Sequence, residues 1–123
     1  MKQPCFLLDE NMAHRTIRKL LLQREPKIRI LTVGQSGIPP LSTPDSELLI
    51  WIEEHGCLLV TKNRASMPVH LRDHLNAGRH VPGILIVPQR MAPWQVSDQL
   101  YLIWEASLPN EYQDQIVYLP LRR

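Results

Sequence analysis

What this chain has little of narrows its reading first. Its 123 residues include only two cysteines, Cys5 and Cys57. Both open apolar runs, where a thiol behaves as a small buried hydrophobe, so a reduced pair is expected rather than a disulfide, and two cysteines alone make a poor metal site. Long hydrophobic runs are missing as well. The N-terminal "MKQPCFLLDEN" breaks off in two acids after a short apolar stretch, too brief for a signal-peptide core or a membrane span. A protein without membrane association, working in the cytoplasm, is the expectation. There is no repeat and no low-complexity segment, which argues against an array or a disordered chain. Charge of one sign is scarce too: 14 Lys+Arg against 12 Asp+Glu leave +2, too mild to mark a nucleic-acid binder by itself. A local basic patch stays open.

What is present is ordinary for a soluble globular protein, 44% hydrophobic and 21% charged. The length suits a single domain over residues 1–123. "CFLLD" (5–9) reads as a strand covered on both faces. From Met12 to about Arg24, Ala13, Ile17, Leu20 and Leu21 recur at helical spacing opposite Arg15, Arg18 and Lys19. "KIRILTV" (27–33) alternates at its start, as a strand nearer a sheet edge does, and "GQSGIPPLS" is a loop. "STPDSELLIWIEEHG" carries both helix-end signals: Ser42 or Thr43 as N-cap with Pro44 in the first turn, and Gly56 past the end. A strand at 57–60, a helix from Ser66–Pro68 to Gly78, the apolar strand "GILIVP" (83–88), a helix from Pro93 to about Ser107 and the strand "QIVYLP" (115–120) complete the pattern. Strands alternate with helices throughout. That predicts an α/β fold, a three-layer α/β/α sandwich on a mainly parallel five-stranded sheet.

Such sheets gather functional groups at the carboxyl ends of their strands. Asp9 closes the first strand and Asn63 lies just beyond the third. Asp45 shares the stripe of Leu48, Leu49 and Ile52, so it starts the middle helix on the face turned to the sheet. These sequence-distant residues are therefore expected to converge, with Glu10 joining only if the strand has already ended. Clustered carboxylates repel, and a shared Mg²⁺ or Mn²⁺ relieves that repulsion and activates water for attack on a phosphodiester. Taken singly, each acid also has a plainer role, at a helix dipole or on backbone N–H groups. Their convergence favours a site. Lys62, Arg64, Arg72 and Arg79 follow the third strand and are expected around the same edge, as a phosphate-steering rim or as ordinary surface charge. His70, His74 and His80 offer a competing Zn²⁺ reading, but "HLRDH" has Leu71 where a zinc hydrolase helix needs its Glu, and a solvated basic face accounts better for them. Trp51, Trp94 and Trp104 sit among apolar neighbours on helices and read as core or dimer-face residues, not as a base-stacking platform.

With these residues in place the sequence resembles the PIN-like domains, short relatives of the PIN ribonuclease toxins of bacterial toxin–antitoxin pairs. "FLLDEN", an acid opening a helix of the form D-x-x-L-L-x-W, and "CLLVTKNRAS" leading into "GILIV" carry the likeness, which spans Phe6 to about Val87. The resemblance implies an acidic site that binds Mg²⁺ or Mn²⁺ and cuts RNA, with Asp9, Glu10 and Asp45 as its catalytic acids and Asp9 and Asp45 as metal ligands. An antitoxin-like protein partner and a homodimer go with it. The departure is at Asn63, where the family usually has an Asp in a "T-R-D" turn. An amide oxygen still ligates a hard cation but brings no charge, so metal affinity and catalysis should fall. Two functions remain: a metal-dependent ribonuclease with Asn63 as a weak third ligand, or a non-catalytic PIN-like module that binds RNA or a protein. A phosphorylation-dependent receiver domain shares the layout, but Asn63 stands where its acceptor Asp belongs.

Overall fold

A computed structural model describes residues 3–62 and 64–121. The chain runs β1 (Cys5–Leu8), α1 (His14–Arg24), β2 (Ile30–Thr32), α2 (Asp45–His55), β3 (Cys57–Lys62), α3 (Met67–Asn76), β4 (Ile84–Val87), α4 (Pro93–Ala106) and β5 (Ile116–Tyr118). The strands form one sheet in the order β2-β1-β3-β4-β5, every neighbouring pair parallel. Each strand is followed by a helix except the last. Helices then cover both faces, because parallel neighbours need a crossover.

Side-chain alternation sorts the core into two layers. Phe6, Leu8, Leu58, Val60, Leu85 and Val87 face α1 and α4, while Leu7, Leu59, Ile84 and Ile86 face α2 and α3. The α/β/α sandwich expected from the strand–helix alternation is the observed fold. α2 ends where Gly56 adopts φ 69°, a left-handed conformation that costs glycine nothing. Its start differs from expectation. Pro44, not Ser42 or Thr43, holds the N-cap position, with no side-chain cap, which puts Asp45 at the first helical position.

β3 also runs further than the expected 57–60. It reaches Lys62, because Thr61 and Lys62 keep pairing with Ile86 and Val87 of β4. That extension decides which side chains reach the carboxyl edge. At the other end of the strands, Cys5 and Cys57 are direct register partners on β1 and β3, with Cα atoms 4.4 Å apart, and they are joined as a disulfide. The expectation of a reduced pair is corrected here: identical parity on adjacent parallel strands brings the two sulfurs face to face. Among the described residues no helix is long and apolar enough to cross a membrane.

Candidate active site at the carboxyl edge

Asp9 lies one residue beyond β1, yet its N–H still donates to Val60 O at 2.9 Å, so the β3 ladder fixes its backbone. The parity of Cys5 and Leu7 sends its side chain toward the α2/α3 face. Thr61 shares that face, being two residues on from Leu59. Its hydroxyl donates to Asp9 Oδ2 at 2.6 Å, and the Glu10 N–H donates to Asp9 Oδ1 at 2.7 Å. Asp45 arrives on the first turn of α2. Asp9 is 2% exposed and Asp45 9%.

Arg64 joins them. One guanidinium nitrogen donates to Asp9 Oδ2 at 2.6 Å and the other to Asp45 Oδ1 at 2.8 Å, in a side chain 32% exposed. The predicted convergence of Asp9 and Asp45 is therefore present, and its width is that of a single guanidinium. Two buried carboxylates need cationic compensation, since a lone buried charge is costly, and Arg64 supplies it.

The remaining predicted residues separate. Glu10 turns away from the pair: its Oε1 accepts the Ser42 N–H at 2.6 Å, pinning the segment that leads into α2. Asn63, expected as third ligand, lies outside the described residues. Lys62 takes the opposite parity from Thr61 and donates to Gln89 Oε1 at 3.4 Å, on the loop after β4. Arg72 is exposed on α3, 3.6 Å from Asp73. Arg79 is not at this edge. It follows α3, which has by then crossed the sheet, and its Nε donates to Glu53 Oε1 at 2.7 Å near the strand starts. The expected rim of four cations at one edge thus shrinks, because a helix of ten residues carries the chain from one edge to the other.

The histidines do not assemble a zinc site. His74 is buried with Nε2 3.1 Å from His80 O and 3.2 Å from Glu53 Oε1, while the His80 ring pairs with Asp114. Among the described residues no group of three or more His, Cys, Asp or Glu is arranged to hold a metal ion. Trp94 was expected as a core or a dimer-face residue, and its exposure leaves only the second of these. It is 63% exposed rather than core, being two residues and so roughly 200° from Val96 on the buried stripe of α4. It stands at the start of α4, on the carboxyl side of β4, four residues after exposed Arg90. Thr61 is the carboxyl-edge residue that sequence reading missed, and the exposure of Trp94 is the placement it left open. The signal for Thr61 was its alternation with Cys57 and Leu59; for Trp94 it was the offset from Val96, Leu100 and Ile103.

The donor set suits a hard cation as far as it goes. Two carboxylates 2.6 and 2.8 Å from one positive group already form a cation position, and Mg²⁺ is often held by one or two carboxylates with water and substrate phosphate completing the shell. Arg64 occupies that position. Compared with family models, with curated proteins and with solved structures, the chain matches none.

Proposed function

We propose that this is a PIN-like, metal-dependent ribonuclease acting at the carboxyl edge, in which Arg64 competes with the metal for Asp9 and Asp45. The observation that carries this reading is the Arg64 bridge: two buried acids from distant parts of the chain, held around one positive charge. Asp9 and Asp45 would hold Mg²⁺ or Mn²⁺, with Asn63 as a neutral third donor. The ion supplies activation of water and charge neutralisation at phosphorus. The chain's own residues do the rest. Thr61 fixes the rotamer of Asp9, and Glu10 holds the segment before Asp45 in place, a positioning role rather than a ligand role. Arg64, once off the carboxylates, is available to a substrate phosphate. Lys62 and Arg90 offer further charge for the backbone, and exposed Trp94 offers a face for an unpaired base, which favours single-stranded RNA. Work in the cytoplasm, a homodimer and restraint by an antitoxin-like protein covering this edge complete the proposal.

The test is cleavage of a single-stranded RNA in Mn²⁺ by the parent, Asp9→Asn, Asp45→Asn and Asn63→Asp. Loss of cleavage in the first two variants and a gain in the third are expected. The bridge also favours a second reading, a binding module in which Arg64 holds the cation position for good. That reading expects no cleavage by any of the four proteins, with RNA retained by all of them.

A further inference from the structure

A large concavity lies at the other end of the strands, far from Asp9. It encloses about 490 Å³, within the usual range for small-molecule sites, and opens between the residues that precede β1, β3, β4 and β5. Its walls are built by close backbone approach. Gly83 brings the start of β4 so near to Tyr112 that an added Cβ would lie 2.8 Å from the Tyr112 Cβ and 2.7 Å from a Leu58 methyl. Only glycine permits that packing.

We infer that this cavity binds a small amphipathic anion of the size and charge of an aromatic carboxylate, with Arg29 and His80 as the positive groups on its walls and Leu58, Val81, Pro82 and Tyr112 around its ring. The argument is one of which charges are already used. Glu53 accepts from Arg79 Nε and from the His80 N–H, at 2.7 and 3.1 Å, with buried His74 also against it. Asp114 accepts from the His80 ring at 2.7 Å and from the Val81 N–H at 2.9 Å. Glu111 is spent in part on the Leu108 N–H, at 2.8 Å, and is the one acid on the wall that works against an anion.

The positive groups are less committed. Among the described residues the Arg29 side chain makes no ion pair or hydrogen bond, and His80 uses only Nδ1, which leaves its Nε2 side for a ligand. The hydrogen bond to Asp114 raises the His80 pKa, so the ring carries its proton further toward neutral pH. A metal is the poorer occupant, because the oxygen and nitrogen donors here already bond one another.

Three probes with one body and different charge decide the matter: benzoate, benzamide and benzamidine, titrated into the full chain while backbone amide resonances are followed by NMR. Benzoate should shift Gly56, Leu58, Val81 and Tyr112 at millimolar concentration, benzamide less, and benzamidine least. Arg29→Gln, at an exposed position that should not disturb folding, is expected to weaken benzoate at least fivefold and to leave benzamide unchanged. His80→Gln should weaken benzoate too. Absence of benzoate shifts at these amides overturns the site. Benzamidine binding as well as benzoate, or Arg29→Gln without effect, overturns the assignment to an anion.

Discussion

At the carboxyl edge Asp9, itself met by Thr61 and the Glu10 N–H, shares one partly exposed guanidinium with Asp45, which has no other side-chain partner among the described residues, whereas at the amino edge Glu53 and Asp114 are each met by several donors. The difference is one of redundancy. A cluster in which each carboxylate has an N–H from the backbone as well as a side-chain partner is locked, and its members tie α2, the β4 entry and β5 together. At the carboxyl edge Asp45 depends on Arg64 for its only side-chain partner among the described residues. On the proposed reading, the net negative charge and burial at this edge suit a place where a cation exchanges with Arg64. The amino-edge network is scaffold by the same measure, and its neighbouring cavity is bounded by acids that are already satisfied except for Glu111.

The largest break in this comparison should come from Arg64→Ala. Removing one partner of a fully buried ion pair costs about 3–5 kcal/mol, and the exposure of Arg64 reduces that to about 2–3 kcal/mol. Urea denaturation near neutral pH measures it, and a loss of a few tenths only would mean that water already compensates the two acids. Thr61→Val should follow at about 1.5 kcal/mol, because it removes a hydrogen bond to a charged, buried carboxylate while keeping the strand's shape. It should also lower RNA cleavage, by freeing the Asp9 rotamer. Glu53→Gln is expected to cost less than either, since its partners sit where water can replace it; a loss exceeding that of Arg64→Ala would reverse the contrast between the edges.

The smallest effect is a pH dependence confined to the amino edge. Asp114 raises the pKa of His80 above its ordinary 6.5, so the stability this pair contributes is complete below that value and is lost as pH rises through the raised one. Glu53 is lowered from its ordinary 4.5, chiefly by the Arg79 hydrogen bond. Burial pushes Asp114 up, but the hydrogen bonds from His80 and Val81 and the nearby histidine charges outweigh it and bring it below 3.8. Those two contributions are present above the ordinary values and disappear as pH falls through the lowered ones. The parent should therefore exceed His80→Gln in thermal midpoint most clearly between about pH 5 and pH 6, with the gap closing above neutrality. A gap independent of pH would remove His80 from the network.

Much of this was legible in the residues. The strand–helix alternation gave the parallel sandwich, and the stripe of Asp45, Leu48, Leu49 and Ile52 placed Asp45 against the sheet, where it is found. Chain ends and turns were harder, since local signals compete there: Pro44 displaced the hydroxyl caps, and β3 outlasted its apolar run because Thr61 and Lys62 still had β4 to pair with. The role of Arg64 had no local signature at all. A cation two residues past a strand points either to solvent or back to the acids, and only the tertiary arrangement decides. The same holds for Glu53 and Asp114, whose partners are 26 to 34 residues away. Arg79 was misplaced because α3 carries the chain across the sheet before it.

The bridge itself is best tested by Mn²⁺ affinity, read as the rise in thermal midpoint with metal, in the parent and in Arg64→Gln. A ligand that binds the folded state alone must raise the midpoint, and a side chain that competes for the same carboxylates must weaken it. Arg64→Gln should bind Mn²⁺ roughly tenfold tighter than the parent, about 1.4 kcal/mol, and Asp9→Asn should abolish the response in both backgrounds. Equal affinity with and without Arg64, or a response that survives Asp9→Asn, would contradict a cation position shared by Asp9 and Asp45.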